Sequence, residues 1–279
     1  ELKYDVDIIT DEDVQREGVT LLNQYPIVLT GHHPEYVSEE AMDAYHDYQL
    51  QGGRFLYLAA NGFYWITVPH PENPNIIEVR KGDNGTRAWT INPGEYCNAF
   101  DGKHGGLWRV RGRAMSKLLG VTFTSFGLTY SSYYRRAPDS NLPECQWIMK
   151  GLSADEPIGN FGLVGGGAAG LELDRYDLEL GTPHRAYLLA HSEGHNDIFV
   201  SVTEESTFNA RGYTQGGTGD NNPWTRADIV YYKTPNDGAV FSVGSMSWCG
   251  SLQHNDYDNN VSQIMQNVLN GFLKPGTLP

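Results

Sequence analysis

Hydrophobic spacing switches between two periods over the first 65 residues. Residues 4–10, "YDVDIIT", alternate polar and β-branched positions and predict a strand. "DEDVQREGVTLLNQY" follows, acidic in its first turn, with Val14, Leu21 and Leu22 on one side, and predicts a short helix. "PIVLTG" is a continuous apolar run of the kind expected for a strand buried on both faces. "SEEAMDAYHDYQLQGG" predicts a helix. Ser38 is placed to cap it, Glu39 and Glu40 suit the positive end of its dipole, and Gly52–Gly53 provide a left-handed exit. Ala41, Tyr45 and Tyr48 share one face, and "RFLYLAANG" then predicts a second buried strand. Strands and helices joined this closely imply right-handed crossovers. The expected fold is therefore α/β, a mainly parallel sheet with flanking helices.

The rhythm changes from about residue 65 to 150, where Gly, Trp, Arg and Tyr crowd stretches such as "TRAWTINPGEYCNAFDGKHGGLWRVRGR". This reads as a loop-rich β insertion. Strands return in "HRAYLLAHSEG" and in "ADIVYYKTPNDGAVFSVGSMSWCG", the latter folded back at "NDG". The last helix, "NNVSQIMQNVLNGFL", places Val261, Ile264, Met265, Val268, Leu269 and Phe272 on one side. With no internal repeat, residues 1–279 read as one elaborated domain.

Composition narrows the function. A formal charge of −14 disfavours nucleic acid and anionic membranes as partners. Cys97, Cys145 and Cys249 are odd in number, far apart and without metal-type spacing, which suits reduced thiols in a cytoplasm. No leader or apolar run of spanning length is seen. The chain starts at Glu1 directly in a strand pattern, as expected of one segment of a longer polypeptide.

Candidate chemistry sits at strand ends, where α/β proteins bind ligands. "TGHHPEY" puts His33 and Glu35 just beyond "PIVLTG", with Pro34 stiffening the turn, so that they project together as metal ligands or proton carriers. The competing reading is a helix-entry turn in which Glu35 satisfies backbone donors. Asn61, in "AANGFYW", ends the neighbouring strand and offers an amide to a carbonyl oxygen, or is simply a turn residue. "FGLVGGGAAGLELDR" lacks the Lys-Ser/Thr of a phosphate loop and the setting of a dinucleotide site. Its odd member is Glu172, a candidate general base or the partner of a neighbouring Arg. His191, Glu193 and His195 form a rival metal set on one strand face, although Ser192, Gly194 and Asn196 suggest a loop. Cys249 and His254 lack the elbow of a thiol hydrolase.

Taken in order, "TGHHPEY", "GGRFLYLAANGFYW", "GTRAW", "GGLWR", "SSYYRR", "FGLVGGGAAGLELDR" and "NDGAVFSVGSMSWCGSL" resemble the C-terminal part of the large, catalytic subunit of the N,N-dimethylformamidase family. The resemblance implies an amidohydrolase that converts dimethylformamide, a small amide, to dimethylamine and formate. It also implies a mononuclear ferric iron site held by two tyrosines and a glutamate, a small accessory subunit, homo-oligomerisation, and a glutamine-amidotransferase-like sheet. By the same resemblance Glu35 is the glutamate ligand and His33 lies beside it in the pocket. Asn61 matches a polar pocket residue, Glu172 a second carboxylate near the iron, and Phe208 an aromatic wall. Both tyrosine ligands fall upstream of the first strand, so the upstream part of the same polypeptide is expected to supply them. The alternative is a non-catalytic α/β scaffold within a larger enzyme.

Overall fold

The structure, a computed structural model, describes residues 4–73, 75–81, 95–202 and 222–278. Helix α1 (Asp11–Glu17) opens with a capping box in which the Thr10 hydroxyl accepts from Asp13 N and the Asp13 carboxylate accepts from Thr10 N. Gly18, at φ 63°, breaks the predicted single helix, and α2 (Val19–Leu22) follows it. Residues 5–10 form no strand, and Ile8 is 93% exposed. Strand β1 (Ile27–Leu29) leads to β2 (Tyr36–Ser38) and then to α3 (Glu39–Leu50), where Ser38 accepts from Ala41 N as its spacing predicted. Next come β3 (Arg54–Tyr57), β4 (Trp65–Pro69), β5 (Ile77–Glu78) and α4 (Met115–Leu119). The second half contributes β6 (Thr122–Arg136), β7 (Ala169–Arg175), β8 (Tyr187–Glu193) and β9 (Val200–Ser201). It ends with β10 (Asp228–Lys233), β11 (Ala239–Ser242) and α5 (Asn260–Leu273).

The main sheet runs β1-β3-β11-β10-β8-β6-β7, with β9 beside β6, and a small sheet holds β2-β4-β5. Among the described residues of the main sheet only β1–β3 and β3–β11 pair in parallel; the β10–β11, β8–β10, β6–β8, β6–β7 and β6–β9 pairs are antiparallel. This corrects the expected mainly parallel, amidotransferase-like sheet with flanking helices. Parallel neighbours need crossovers of about a dozen residues or more, usually helical. Here α3 supplies such a crossover between β1 and β3, whereas β10 and β11 are joined by residues 234–238 alone. Asn236 and Asp237 take φ of 58° and 62°, the left-handed pair that a tight hairpin favours. Five α-helices occur among the described residues, too few to cover a doubly wound sheet.

Both faces of the sheet are nevertheless buried. On β3, Phe55 and Tyr57 point into a core shared with Val14, Leu22, Tyr45 and Tyr48, while Leu56 packs with Tyr231, Phe241 and the α5 residues Ile264, Val268 and Phe272. Alternate positions of one strand thus feed two cores. No helix among the described residues is long and apolar enough to cross a membrane.

Candidate active site

Because β1, β3 and β11 run parallel, their carboxyl ends open at one edge of the sheet, and the loops after β1 and β3 meet there. Backbone hydrogen bonds join those loops: Phe63 N donates to Pro34 O at 2.7 Å, and Tyr64 N and Trp65 N both donate to Glu35 O at 3.0 Å. The second loop turns through two non-glycine residues in left-handed conformations, Asn61 at φ 51° and Phe63 at φ 55°. Conformations of this kind persist where surrounding contacts over-determine them. Gly62 lies between them, and a Cβ there would come within 2.6 Å of the Tyr57 ring and 2.9 Å of Pro34.

A buried polar chain holds this turn. Asp174, on β7, accepts from Asn61 N through Oδ1 and from the Tyr57 hydroxyl through Oδ2, both at 2.8 Å, and the Tyr57 oxygen accepts from Gly62 N at 2.7 Å. Burial pushes the Asp174 carboxyl up to about 8, against the pull of those two donors, with Glu172 adding to the rise and His33 opposing it. Burial likewise lifts the Tyr57 hydroxyl well above the ordinary phenol range, with Asp174 adding to it.

In front of this chain four side chains converge. His33 Nε2 lies 2.8 Å from Glu172 Oε2, 3.4 Å from Asn61 Nδ2 and 3.7 Å from Glu35 Oε2. Glu35 Oε1 accepts from Trp65 Nε1 at 3.1 Å, which aims the other oxygen at the histidine. The bond to Glu172 raises the His33 pKa and burial works against it, while the charges of Glu172, Glu35 and Asp174 add to the rise. The side chains of His33, Glu35 and Glu172 are 31%, 12% and 16% exposed, so solvent and small molecules reach them.

The structure therefore brings His33, Glu35, Asn61 and Glu172 together, and Glu172 finds a histidine rather than an arginine. Phe208 lies outside the described residues. Sequence reasoning missed Asp174, Tyr57 and Trp65. Asp174 carried one signal: it follows Glu172 by two positions, and strand residues two apart share a face. The rival metal set does not converge. Glu193 pairs with Arg135 at 2.9 Å, while His195 lies beyond β8 and bonds Ser192. The Cys249 thiol contacts Leu58 O, and burial pushes its pKa up to about 11, which leaves it unsuited to nucleophilic attack.

Among the described residues, no three His, Cys, Asp or Glu side chains are arranged to hold a metal ion. Glu35 fits such a role as a single hard oxygen donor, with Oε1 anchored and Oε2 facing the crevice.

Comparison with known proteins adds a second line of observation. A family model described as N,N-dimethylformamidase beta subunit-like, C-terminal, matches residues 1–259. Two curated relatives, both named N,N-dimethylformamidase beta subunit, are 47% identical (Paracoccus aminophilus) and 46% identical (Alcaligenes sp) over 276 residues. That alignment covers 99% of this chain and 36% of each relative, so the chain spans about a third of their length. A solved structure of a thua-like protein from Bacteroides uniformis overlaps 98% of this chain and 79% of its own, at 12% identity and a TM-score of 0.47.

Proposed function

The chain belongs to the N,N-dimethylformamidase beta subunit-like, C-terminal family, and from that premise we propose that it carries part of the active site of an amidohydrolase. Its substrate would be N,N-dimethylformamide or a similar small N-substituted formamide, cleaved to formate and an amine. The observation that best supports this is the 2.8 Å approach of His33 Nε2 to Glu172 Oε2 in a crevice that also holds Glu35 and Asn61. A proton-carrying pair in an accessible crevice, flanked by an amide donor, suits the hydrolysis of a neutral carbonyl compound.

In this reading Glu172 takes a proton from the attacking water as the water oxygen bonds to the carbonyl carbon. The same proton then passes to the departing amine nitrogen as the carbon–nitrogen bond breaks. His33 holds Glu172 in place, and Asn61, fixed through its own backbone by Asp174, orients the carbonyl or the water. Iron, when bound, supplies a Lewis acid that polarises the amide carbonyl. Glu35 would hold it through Oε2, with two tyrosine ligands contributed by the longer polypeptide. A small accessory subunit, homo-oligomerisation and a cytoplasmic setting complete the proposal.

The test is to incubate the intact polypeptide, with its small subunit, with N,N-dimethylformamide and to measure dimethylamine and formate. Equimolar release is expected. No release from protein loaded with iron would leave this domain with the scaffold role instead.

A further inference from the structure

Strand β7 carries Glu172 into the crevice, and the antiparallel ladder fixes its neighbour there. Glu172 pairs with Phe126 of β6, and Phe126 pairs in turn with Val200 of β9. Residues directly opposite in such ladders point to the same face, with Cβ atoms roughly 5 Å apart. That face is the one bearing the site. Phe126 packs on the core that holds Tyr57, Phe63, Tyr64 and Trp65, whereas Leu173, the residue after Glu172, belongs to the other core. Gly127, the residue after Phe126, lies against that other core too, since a Cβ there would come within 2.8 Å of the Phe199 ring. Ser125 and Gly127 are buried, yet Phe126 between them is only half-buried, and Val200 is 40% exposed. An apolar row thus leads away from the accessible carboxylate.

Polar and apolar groups therefore reach Glu172 from different elements. His33, Glu35 and Asn61 come from the loops after β1 and β3, and Phe126 comes from the neighbouring strand. In the amidase reading Glu172 hands its proton to the departing nitrogen, so the amine half of the substrate lies against Glu172 while the carbonyl oxygen faces Asn61. The substituents on that nitrogen then meet the side chain beside Glu172, which is a phenyl ring. Such a ring takes an N-methyl group out of water favourably. It offers the N–H of a less substituted amide no acceptor, so that N–H is desolvated without compensation.

We propose that Phe126 is a specificity-determining residue, its ring the wall against which the N-alkyl groups of the amide pack. The inference rests on the amidase reading and adds to it which side chain selects for substitution on nitrogen. The test measures kcat/KM of the intact polypeptide, with its small subunit, on N,N-dimethylformamide and on N-methylformamide, which differ by one methyl group, following release of each amine. Phe126→Ala and Phe126→Gln should each lower the ratio of the two values about fourfold, the worth of one buried methyl. Phe126→Leu, still apolar, should keep the ratio within about twofold of wild type. The proposal is overturned if the ratio is unchanged in Phe126→Ala or Phe126→Gln with circular dichroism showing an intact fold. An equal loss of rate on both substrates is such a result and marks a purely structural side chain. It is overturned as well if Phe126→Leu lowers the ratio as far as Phe126→Ala. Wild type that releases no amine from either substrate sinks the amidase reading itself, and this inference with it.

Discussion

Replacing Asp174 with asparagine isolates the buried group that holds the turn at Asn61 and Gly62. In the native protein this carboxyl is pushed up to about 8 by complete burial, whereas an unfolded aspartate titrates at about 3.9. Between those values the folded state binds one more proton than the unfolded chain. Stability is therefore fully present below the unfolded pKa and is lost as pH rises toward the folded one, by about 1.4 kcal/mol per pH unit. The asparagine side chain cannot titrate, so the variant lacks this slope, while groups not coupled to Asp174 contribute equally to both proteins. Urea unfolding followed by tryptophan fluorescence at about pH 5 and about pH 7.5 reads the difference directly. The stability advantage of wild type over Asp174→Asn should shrink by ~3 kcal/mol across that interval. A constant offset, set by the ~1–3 kcal/mol cost of an unsatisfied Tyr57 hydroxyl, is expected to remain. If the difference between the two proteins does not change with pH, Asp174 is ionised throughout. The donors Asn61 N and Tyr57 Oη then outweigh burial, and the account of this turn is wrong.

Three further substitutions probe other links. Gly62→Ala forces a methyl group to within 2.6 Å of Tyr57 and should cost ~1–3 kcal/mol in thermal unfolding, with activity falling as Asn61 shifts. His195 gives a pH dependence of opposite sign. Its folded pKa of about 4 lies below the unfolded ~6.5, so stability is lost as pH falls through that window, by ~3 kcal/mol in all. His195→Gln should remove that acid-side loss in urea titrations; an unchanged slope would refute the neutral, buried ring. Glu35→Ala in the intact polypeptide should strip iron, read by elemental analysis, with the circular dichroism spectrum unchanged; full iron content would remove Glu35 from the ligand set.

Much of this site was legible because strand ends and caps obey local rules. Ser38 and Gly52 bound α3 as their residue types imply, and "NDG" folds β10 onto β11. His33, Glu35 and Asn61 meet because two parallel strands end side by side. The sheet as a whole was misread for a physical reason. Phe55 and Tyr57 fill one core and Leu56 the other, so β3 reads as a continuous apolar run and is indeed parallel to both neighbours, but that local pattern does not extend to β10, β8, β6 and β7, which pair with one another antiparallel. The stretch "YDVDIIT" alternates like a strand, yet Val6 and Ile8 are 51% and 93% exposed, so its pattern finds no buried face. Asp174 escaped notice because an acidic residue beside Arg175 looks solvated. Its partner Tyr57 lies 117 positions away, a pairing no local pattern encodes.

The central claim is that Glu172, held by His33, carries the proton of amide hydrolysis. Dimethylamine release by the intact polypeptide, compared between wild type and Glu172→Gln at equal iron content, tests it most directly. Loss of a positioned proton carrier should slow release by ~10²–10⁴-fold. A variant that turns over at close to the wild-type rate would contradict the assignment and place the base elsewhere.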